Sequence, residues 1–331
     1  MKRISALPGL LPAFVLVALV SAGCARKPEP PPVIGVVLIF AEFRQPTLDG
    51  LIDGLAEFGY VEGRNIKYRI VNAHGDRSAL PKLAREVAEG RPSVICAVGG
   101  AEAEACVAAA RSTGVPVVFM GVSSPVERGL AKSLLEPLPN TTGVTSGMTR
   151  LICKRMQLAK LFFPEIESVT VLYDPNSVSS AGSLALGIEV APTLDLTVKG
   201  APLTTDEEVS EFMNSVDRKE HEVILGTPCV LVFKNRRSVI APGAIRAGVP
   251  FLGFDREACK EGAVLAYGSN FYSFGYQGAA LVHKILQGTP ADSMPIEMPF
   301  EIGLSINLKT ARQIGITFPP EVVAIADFVI R

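Results

Sequence analysis

The fold of this chain is decided by one stretch, in which the apolar run Ser93-Val94-Ile95-Cys96-Ala97-Val98 ends at Gly99-Gly100. Residues 101–111 are rich in Ala and Glu and have the composition of a helix. Gly114 ends that segment, and a second apolar run, Val115-Pro116-Val117-Val118-Phe119-Met120, follows it. Two apolar runs without polar alternation, separated by a helix, predict a βαβ unit in a parallel sheet that is covered on both faces.

The loops that follow these two strands are the first candidates for a binding site. Ligands of open α/β sheets bind beyond the carboxyl ends of the parallel strands. In this chain those ends lie at residues 99–102 and 122–125. We therefore expect a site there that includes Gly100, Ala101, Glu102, Ser123 and Ser124.

The two halves of the chain repeat the same order of elements. The run Gly114-Val115-Pro116-Val117-Val118-Phe119 corresponds to Gly248-Val249-Pro250-Phe251-Leu252-Gly253. This repetition predicts an α/β protein of two Rossmann-like lobes with parallel sheets, joined by a multi-strand hinge, with a cleft between the strand-end loops. The predicted boundaries are 33–145 plus 269–300 for the first lobe and 146–268 plus 301–331 for the second.

The hydrophobic pattern also predicts individual helices. Leu48, Leu51, Ile52 and Leu55 recur at helical spacing and predict a helix over 46–58. Helices are also expected over 148–163 and over 319–330. The long segment after residue 268 is expected to return to the first lobe and to cross again.

The N-terminus is typical of an exported chain. A basic start, Lys2-Arg3, precedes an apolar segment over 10–20 that is short for a membrane span. Ser21-Ala22-Gly23-Cys24 resembles a bacterial lipobox, which implies a signal peptide over 1–23 and lipidation of Cys24. Ordinary cleavage after Ala22 is the alternative. Residues 24–32, rich in proline, are predicted to be an extended tether.

Composition limits the classes of function. The chain has 331 residues, 48% of them hydrophobic, and a net charge of −1, which suits two folded domains and gives no reason to expect nucleic acid as a partner.

Five cysteines follow Cys24, and a bridge between Cys229 and Cys259 is one open alternative. Neither the cysteines nor the histidines have metal-ligand spacing, so we expect no metal and no cofactor. The chain has no P-loop, GxSxG or HExxH motif, and an enzyme is not expected.

One segment carries a family resemblance. Residues 54–66 read Gly-Leu-Ala-Glu-Phe-Gly-Tyr-Val-Glu-Gly-Arg-Asn-Ile, and this resembles the GL-x-E-x-GY-x-EGKN-I signature of ABC-transporter substrate-binding lipoproteins of the tryptophan/tyrosine-uptake type. Further matches follow in the family order, at 116–119, 124–126, 140–144, 284–288, 290–292, 306–311 and 315–316. The resemblance implies a type I periplasmic binding protein fold and a small-molecule ligand held between two lobes.

The chain departs from the family at the usual amino-acid anchors. Where amino-acid-binding members hold the zwitterion, it has Gly100-Ala101, Ser124, Pro228-Cys229 and Asn270. A buried ammonium group needs a carboxylate, which Glu42, Glu102 or Asp255 could supply, while Arg44 or Arg256 could serve an acidic ligand. The candidate ligand-binding residues are Phe40, Glu42, Gly100, Ala101, Glu102, Ser123, Ser124, Asp174, Asn176, Thr227, Asp255 and Asn270.

Several candidates also have a purely structural interpretation. Ser123, Ser124, Asp174 and Asn176 are ordinary turn residues, and Phe40 could belong to the core. The favoured function is that of a monomeric, lipid-anchored periplasmic or cell-surface protein that captures an aromatic or amino-acid-like solute by hinge closure. Its expected partners are an ABC permease and its ATPase. The alternative is a ligand-sensing module that signals to a membrane partner.

Overall fold

The computed structural model describes residues 30–331, apart from the side chains of residues 42 and 43. The predicted signal peptide, Cys24 and most of the tether lie outside this range, as does the side chain of Glu42. The strands are β1 (Val33–Leu38), β2 (Lys67–Asn72), β3 (Val94–Val98), β4 (Val117–Val122), β5 (Ala131–Ser133), β6 (Glu136–Pro137), β7 (Thr141–Thr145), β8 (Ser168–Tyr173), β9 (Thr197–Pro202), β10 (Ile224–Gly226), β11 (Phe251–Gly253), β12 (Leu265–Ser269), β13 (Ile302–Asn307) and β14 (Phe328–Ile330).

The helices alternate with these strands along most of the chain. They are α1 (Ala41–Glu57), α2 (Leu80–Glu89), α3 (Gly100–Ala110), α4 (Ile152–Phe162), α5 (Val178–Val190), α6 (Asp206–Ser215), α7 (Val230–Asn235), α8 (Ala241–Ala247), α9 (Arg256–Lys260), α10 (Phe271–Leu286), α11 (Leu308–Gln313) and α12 (Pro320–Ala324). A π-helical segment over Arg236–Ile240 joins α7 to α8.

Two sheets organise the described chain. The first has the order β2-β1-β3-β4-β7, and all of its neighbouring strands are parallel. The second has the order β14-β13-β12-β11-β10-β8-β9. We call the first sheet with its helices lobe one and the second sheet with its helices lobe two. The predicted α/β class with two sheet-based lobes is confirmed.

The strand β1 shows why the apolar runs contain no polar residues. Successive side chains of a strand point to opposite faces, and in β1 both faces are covered. Val36 packs into a cluster with Leu51 and Leu55 of α1, whereas Val37 packs with Leu80 of α2 on the other face. Both faces of a central parallel strand are therefore apolar, as the sequence predicts.

One strand pair of lobe two is antiparallel, which the sequence did not predict. β12 pairs antiparallel with β13, and Ser269 lies opposite Ile302. The chain leaves lobe two at Ser269 and packs α10 against α1 of lobe one. It then re-enters the second sheet at the edge that it left. Parallel pairing of β13 with β12 would require a crossover helix packed on the second sheet. Between Ser269 and Ile302 the chain makes no such crossover inside lobe two, so β13 is antiparallel to β12.

All three of the helices predicted from the hydrophobic pattern have different bounds in the structure, and the one expected over 148–163 is α4, Ile152–Phe162. α1 begins at Ala41, five residues before Pro46; the Arg44 amide bonds to the Phe40 carbonyl at 3.0 Å and holds the first turn. The segment predicted as helix over 319–330 is helical only as α12, and its end forms the edge strand β14 beside β13. Asp327 holds the start of this edge strand against β13, because its carboxylate accepts a hydrogen bond from the Leu304 amide at 2.7 Å.

The contact between α1 and α10 is unusually close because of glycine. A Cβ at Gly275 would lie 1.8 Å from the carbonyl oxygen of Thr47, and one at Gly50 would lie 2.1 Å from that of Tyr272. Only residues without a Cβ allow the backbones to approach this closely. This close contact between α1 and α10 anchors α10 to lobe one. The chain leaves lobe two before α10, at Ser269, and returns to it after α10, at Ile302.

The five cysteines of the described part are free thiols, so the alternative bridge between Cys229 and Cys259 is not formed. Burial raises the pKa of the Cys96, Cys106 and Cys259 thiols. These groups are therefore neutral apolar contacts of the core.

Candidate ligand-binding cleft

A cavity of about 270 Å³ lies where the strand ends of the two lobes meet. Lobe one contributes the ends of β1, β3 and β4, and lobe two contributes the loops after β8, β10 and β11. The described lining residues are Ile39, Phe40, Arg44, Gly75, Arg77, Gly100, Ala101, Glu102, Gly121, Ser123, Arg128, Met148, Asp174, Ser177, Ser179, Pro228, Cys229, Val230, Phe254 and Phe271. The cavity thus lies beyond the carboxyl ends of parallel strands in both sheets.

Three phenylalanines form the apolar part of the wall. Phe40 follows β1, Phe254 follows β11, and Phe271 begins α10. The ring of Phe40 packs over Gly75, where a Cβ would come within 2.5 Å of the ring. Phe271 packs edge-on against Phe274, with ring centroids 5.8 Å apart. The wall can therefore offer ring faces and edges to a flat apolar group.

A buried ion pair supports the lobe-one side of the cavity. Glu102, only 1% exposed, lies in the first turn of α3 and accepts from Arg44 Nε at 3.2 Å. The same oxygen accepts from the backbone N–H of Ile39 at 3.2 Å. Glu102 thereby joins the end of β1, the start of α1 and the start of α3. Its carboxylate fixes the shape of the cavity wall.

This ion pair gives a measurable coupling. We expect Arg44→Met and Glu102→Leu each to destabilise the protein, because each leaves a charge in a poorly solvated place. The double variant should cost about 1–3 kcal/mol less than the sum of the two single variants. Urea unfolding of the four proteins measures the coupling. The exposed pair Lys82–Glu86, treated in the same way, is the control and should couple by no more than about 0.5 kcal/mol. If the losses in Arg44→Met and Glu102→Leu were simply additive, Arg44 and Glu102 would not form a stabilising ion pair.

A second arginine, Arg128, crosses from lobe one to lobe two. Its Nη1 donates to Glu104 Oε1 at 2.5 Å and its Nε donates to the Ser123 carbonyl at 3.1 Å. Its Nη2 donates to Ser179 Oγ of lobe two at 3.1 Å. The side chain is only 9% exposed, so these bonds are largely shielded from water.

The lobe-two side begins with a turn after β8. The Asn176 amide donates to Asp174 Oδ1 at 2.8 Å, which makes an Asx turn. Ser177 is the N-cap of α5, and its side chain makes no capping hydrogen bond. Asp174, Ser177 and Ser179 all line the cavity, and they present a carboxylate and two hydroxyls to it.

The structure places six of the twelve sequence candidates on the cavity wall. They are Phe40, Gly100, Ala101, Glu102, Ser123 and Asp174. Ser124 lies one position behind the wall and is a supporting residue, because its hydroxyl donates to Thr149 Oγ1 at 3.0 Å.

Four other candidates make contacts away from the cavity. Thr227 is fully buried and its hydroxyl donates to the Leu172 carbonyl at 2.7 Å. Asp255 caps α9 and pairs with Arg236 at 2.6 Å. Asn270 caps α10 by accepting from the Tyr272 amide at 3.0 Å. Asn176 is exposed in its turn. Glu42 lies outside the described side chains.

Several lining residues were not candidates from the sequence. Arg77 and Arg128 come from loops whose course a strand pattern does not define. Ser177 and Ser179 could have been found from the start of the helix after Asp174-Pro175, because helix starts in this fold face the cleft. The sequence indicates Arg44 only as a partner for an acidic ligand, because its pairing with Glu102 depends on a contact between distant segments.

Three further observations concern the rest of the described chain. A larger groove of about 470 Å³ lies between α2 and α3, but only lobe one lines it. Within residues 30–331, no helix combines the length and apolarity that crossing a bilayer requires. In the same range, no group of three or more His, Cys, Asp or Glu side chains could hold a metal ion.

The family model described as ABC transporter substrate binding protein matches residues 34–330. The chain belongs to this family. Members are solute-binding proteins rather than enzymes; they act outside the cytoplasm, bind small molecules and work with an ABC permease and ATPase. The resemblance noted in the sequence is confirmed at the level of the family.

Individual relatives agree with this membership. A tyrosine-binding protein of Clostridioides difficile (strain R20291) is 25% identical over 271 residues, which cover 81% of this chain and 77% of the relative. A domain from Streptococcus pneumonia in complex with L-Trp has a TM-score of 0.82 at 19% identity, covering 91% of this chain and 100% of that one. The ligand-free, open form of a substrate-binding protein with adhesive properties from Clostridium difficile has a TM-score of 0.72 at 23% identity, covering 90% and 99%.

None of these three proteins is described as a sensory protein, so the alternative of a signalling module has no support from them. The type I periplasmic binding protein fold predicted from the sequence is confirmed.

Proposed function

We propose that this protein is the binding component of an ABC importer and that it captures a small aromatic, amino-acid-like solute carrying a carboxylate. One observation carries the proposal. A cavity of about 270 Å³ lies between the strand ends of the two lobes, and its wall combines three phenylalanines with three arginines. This combination suits a ligand with a flat apolar part and an anionic part.

The volume limits the size of the ligand. Sites for drug-sized molecules have volumes of roughly 300–1,000 Å³, and this cavity is just below that range. A solute of the size of one amino acid therefore suits it better than a peptide or an oligosaccharide. The tyrosine-binding relative and the L-Trp complex support a ligand of this class.

The charges of the wall support recognition of a carboxylate. Arg44 and Arg128 each have a carboxylate partner in the protein, whereas Arg77 is exposed and makes no ion pair with any described side chain. The first turns of α3 and α5 also face the cavity, and helix N-termini carry partial positive charge. We assign the ligand carboxylate to Arg77 and these turns.

An ammonium group would need a different anchor from the usual ones. Asp174 is the lining carboxylate that makes no ion pair with a described residue, and one of its oxygens is used in the Asx turn. We assign any ligand ammonium group to Asp174. The positions that hold the zwitterion in amino-acid-binding members carry other residues in this chain. An ammonium group would therefore be recognised by Asp174 and not by those positions.

Hinge closure is the proposed mechanism. Residues of both lobes form the wall, so separation of the lobes would open the cavity and closure would bury the ligand. The TM-score of 0.82 to the L-Trp complex, against 0.72 to an open, ligand-free relative, supports a closed arrangement of the lobes in this structure. We further propose that the protein is a monomer held to a membrane through Cys24 and the proline-rich tether, and that the lobes divide at the boundaries predicted from the sequence.

A titration with aromatic amino acids tests the proposal. The chain contains no tryptophan, so indole fluorescence comes only from added ligand. We expect L-tryptophan, L-tyrosine or L-phenylalanine to bind in fluorescence anisotropy or calorimetry, and D-glucose and L-lysine to bind much more weakly.

Two variants test the role of Arg77. Arg77→Met should weaken binding by about 10- to 100-fold, because a charged hydrogen bond to a carboxylate is lost. Arg85→Met is the matched control, since Arg85 lines the groove between α2 and α3 and not the cavity. Absence of binding across the aromatic panel would contradict the proposed function, and wild-type affinity in Arg77→Met would contradict the assigned carboxylate contact.

A further inference from the structure

The loops of the two lobes are joined beside the cavity by a small hydrogen-bonded cluster. Arg128 Nη2 donates to Ser179 Oγ at 3.1 Å, and Ser179 Oγ donates to the Ser123 carbonyl at 3.3 Å. Arg128 and Ser123 belong to lobe one, whereas Ser179 is in the first turn of α5 in lobe two. We call Arg128, Ser179 and the Ser123 carbonyl the interlobe clasp.

The lobe-one half of the clasp is preorganised. The guanidinium of Arg128 is held by Glu104 and by the Ser123 carbonyl, both in lobe one. It also packs over Gly100, where a Cβ would lie 2.6 Å from Cζ. Separation of the lobes would therefore leave Arg128 in place and would break only its bond to Ser179.

A second chain of hydroxyls runs beside the clasp. Ser124 Oγ donates to Thr149 Oγ1 at 3.0 Å, and Thr149 Oγ1 donates to the Ser179 carbonyl at 3.4 Å. Thr149 belongs to the segment between β7 and α4. The backbone of Ser179 is thus held by one set of hydrogen bonds and its side chain by another.

The chemistry of the clasp suits a contact that forms and breaks. Its groups are hydroxyls, a carbonyl and a guanidinium, and water can satisfy each of them when the lobes separate. Hydrogen bonds of this kind add modestly to stability, because folding exchanges them for bonds to water. A ligand that fills the cavity would bring the two halves together, and the clasp would then slow their separation.

We propose that the interlobe clasp sets the lifetime of the closed, ligand-bound form, with Arg128 and Ser179 as positioning residues for closure. This inference rests on the proposed function, because it requires a ligand in the cavity. It predicts a separation of kinetic effects: loss of the clasp speeds ligand release and leaves association almost unchanged, because the clasp forms only after the ligand has entered.

Stopped-flow kinetics of the full binding domain with L-tryptophan tests the clasp. Ser179→Ala should raise the release rate by about 5- to 30-fold, since two hydrogen bonds between the lobes are lost, with less than about a twofold change in the association rate. Ser179→Thr, which keeps the hydroxyl, should restore slow release. Ser210→Ala is the control, because Ser210 bonds only to the Asp206 carbonyl within its own helix.

A combined variant makes the result specific. In an Arg128→Gln background, Ser179→Ala should add little to the release rate, because both residues act through the same contact. If the wild-type protein binds L-tryptophan and Ser179→Ala releases it at the wild-type rate, the clasp is refuted and the proposed function stands. If L-tryptophan, L-tyrosine and L-phenylalanine all fail to bind the wild-type protein, the proposed function is refuted, and the clasp with it.

Discussion

Arg236→Met is expected to cost about 3–5 kcal/mol of the free energy of unfolding, because it leaves buried carboxylates without their partner. Arg236 is 1% exposed and donates from Nη1 to Asp255 Oδ2 at 2.6 Å, while its Nε bonds to Glu261. Burial by itself would lower the pKa of Arg236, but Asp255 and Glu261 outweigh it and raise that pKa. Arg236 therefore stays charged inside lobe two.

The surroundings of Arg236 explain why the loss is large. Asp255 is 1% exposed and cannot gain water when its partner is removed. Burial raises the pKa of Glu261, which shows how poorly this region solvates a second negative charge. The guanidinium also packs on the Phe233 ring, 3.9 Å from its centroid. A methionine can replace that packing but not the charge.

Urea unfolding measures the effect, with a neighbouring ion pair as the control. Lys234 pairs with Asp206, but both side chains are largely exposed, so Lys234→Met should cost less than about 1 kcal/mol. Equal losses in the two variants would show that the buried pairing of Arg236 with Asp255 and Glu261 adds no more stability than an exposed ion pair.

Gly99→Ala is expected to cost about 2–4 kcal/mol and to weaken ligand binding at least about tenfold. Gly99 precedes α3 with φ 120° and ψ 174°, a conformation that side chains disfavour. A Cβ there would lie 2.1 Å from Arg44 Nη2 and 2.6 Å from Glu102 Oε2. The added methyl group would therefore push apart the ion pair that shapes the cavity wall.

A second glycine separates backbone strain from the steric clash. Gly59 also has a positive φ, 85°, and a Cβ there would meet nothing within 4 Å. Gly59→Ala should therefore cost about 1 kcal/mol and leave ligand binding unchanged. Urea unfolding and titration with L-tryptophan measure both quantities. A Gly99→Ala protein that binds like Gly59→Ala would show that the Arg44–Glu102 pair does not shape the site.

The two lobes could be predicted from the sequence because their signals are local. An apolar run such as 93–98 followed by Gly99-Gly100 predicts a buried parallel strand and the turn after it, and the repeat of this pattern predicts a second sheet. The antiparallel β13 and the edge strand β14 could not be predicted in this way. Their direction depends on where the chain re-enters a sheet, and that is decided by contacts between distant segments.

The site was predictable in position but only partly in its residues. Strand ends located Phe40, Glu102, Ser123 and Asp174 at the cavity, because in parallel sheets position along a strand determines which edge a residue reaches. Asp255 looked like a ligand residue for the same reason. Its carboxylate pairs instead with Arg236, from a helix that no local pattern connects to it.

Small-angle X-ray scattering of residues 30–331, with and without the aromatic amino acid that binds most tightly, tests closure of the two lobes most directly. We expect bound ligand to lower the radius of gyration toward about 19 Å, the value for a compact chain of about 300 residues, because the lobes close on the cavity. A radius of gyration that stays the same when ligand saturates the protein would contradict closure of two lobes around a small solute.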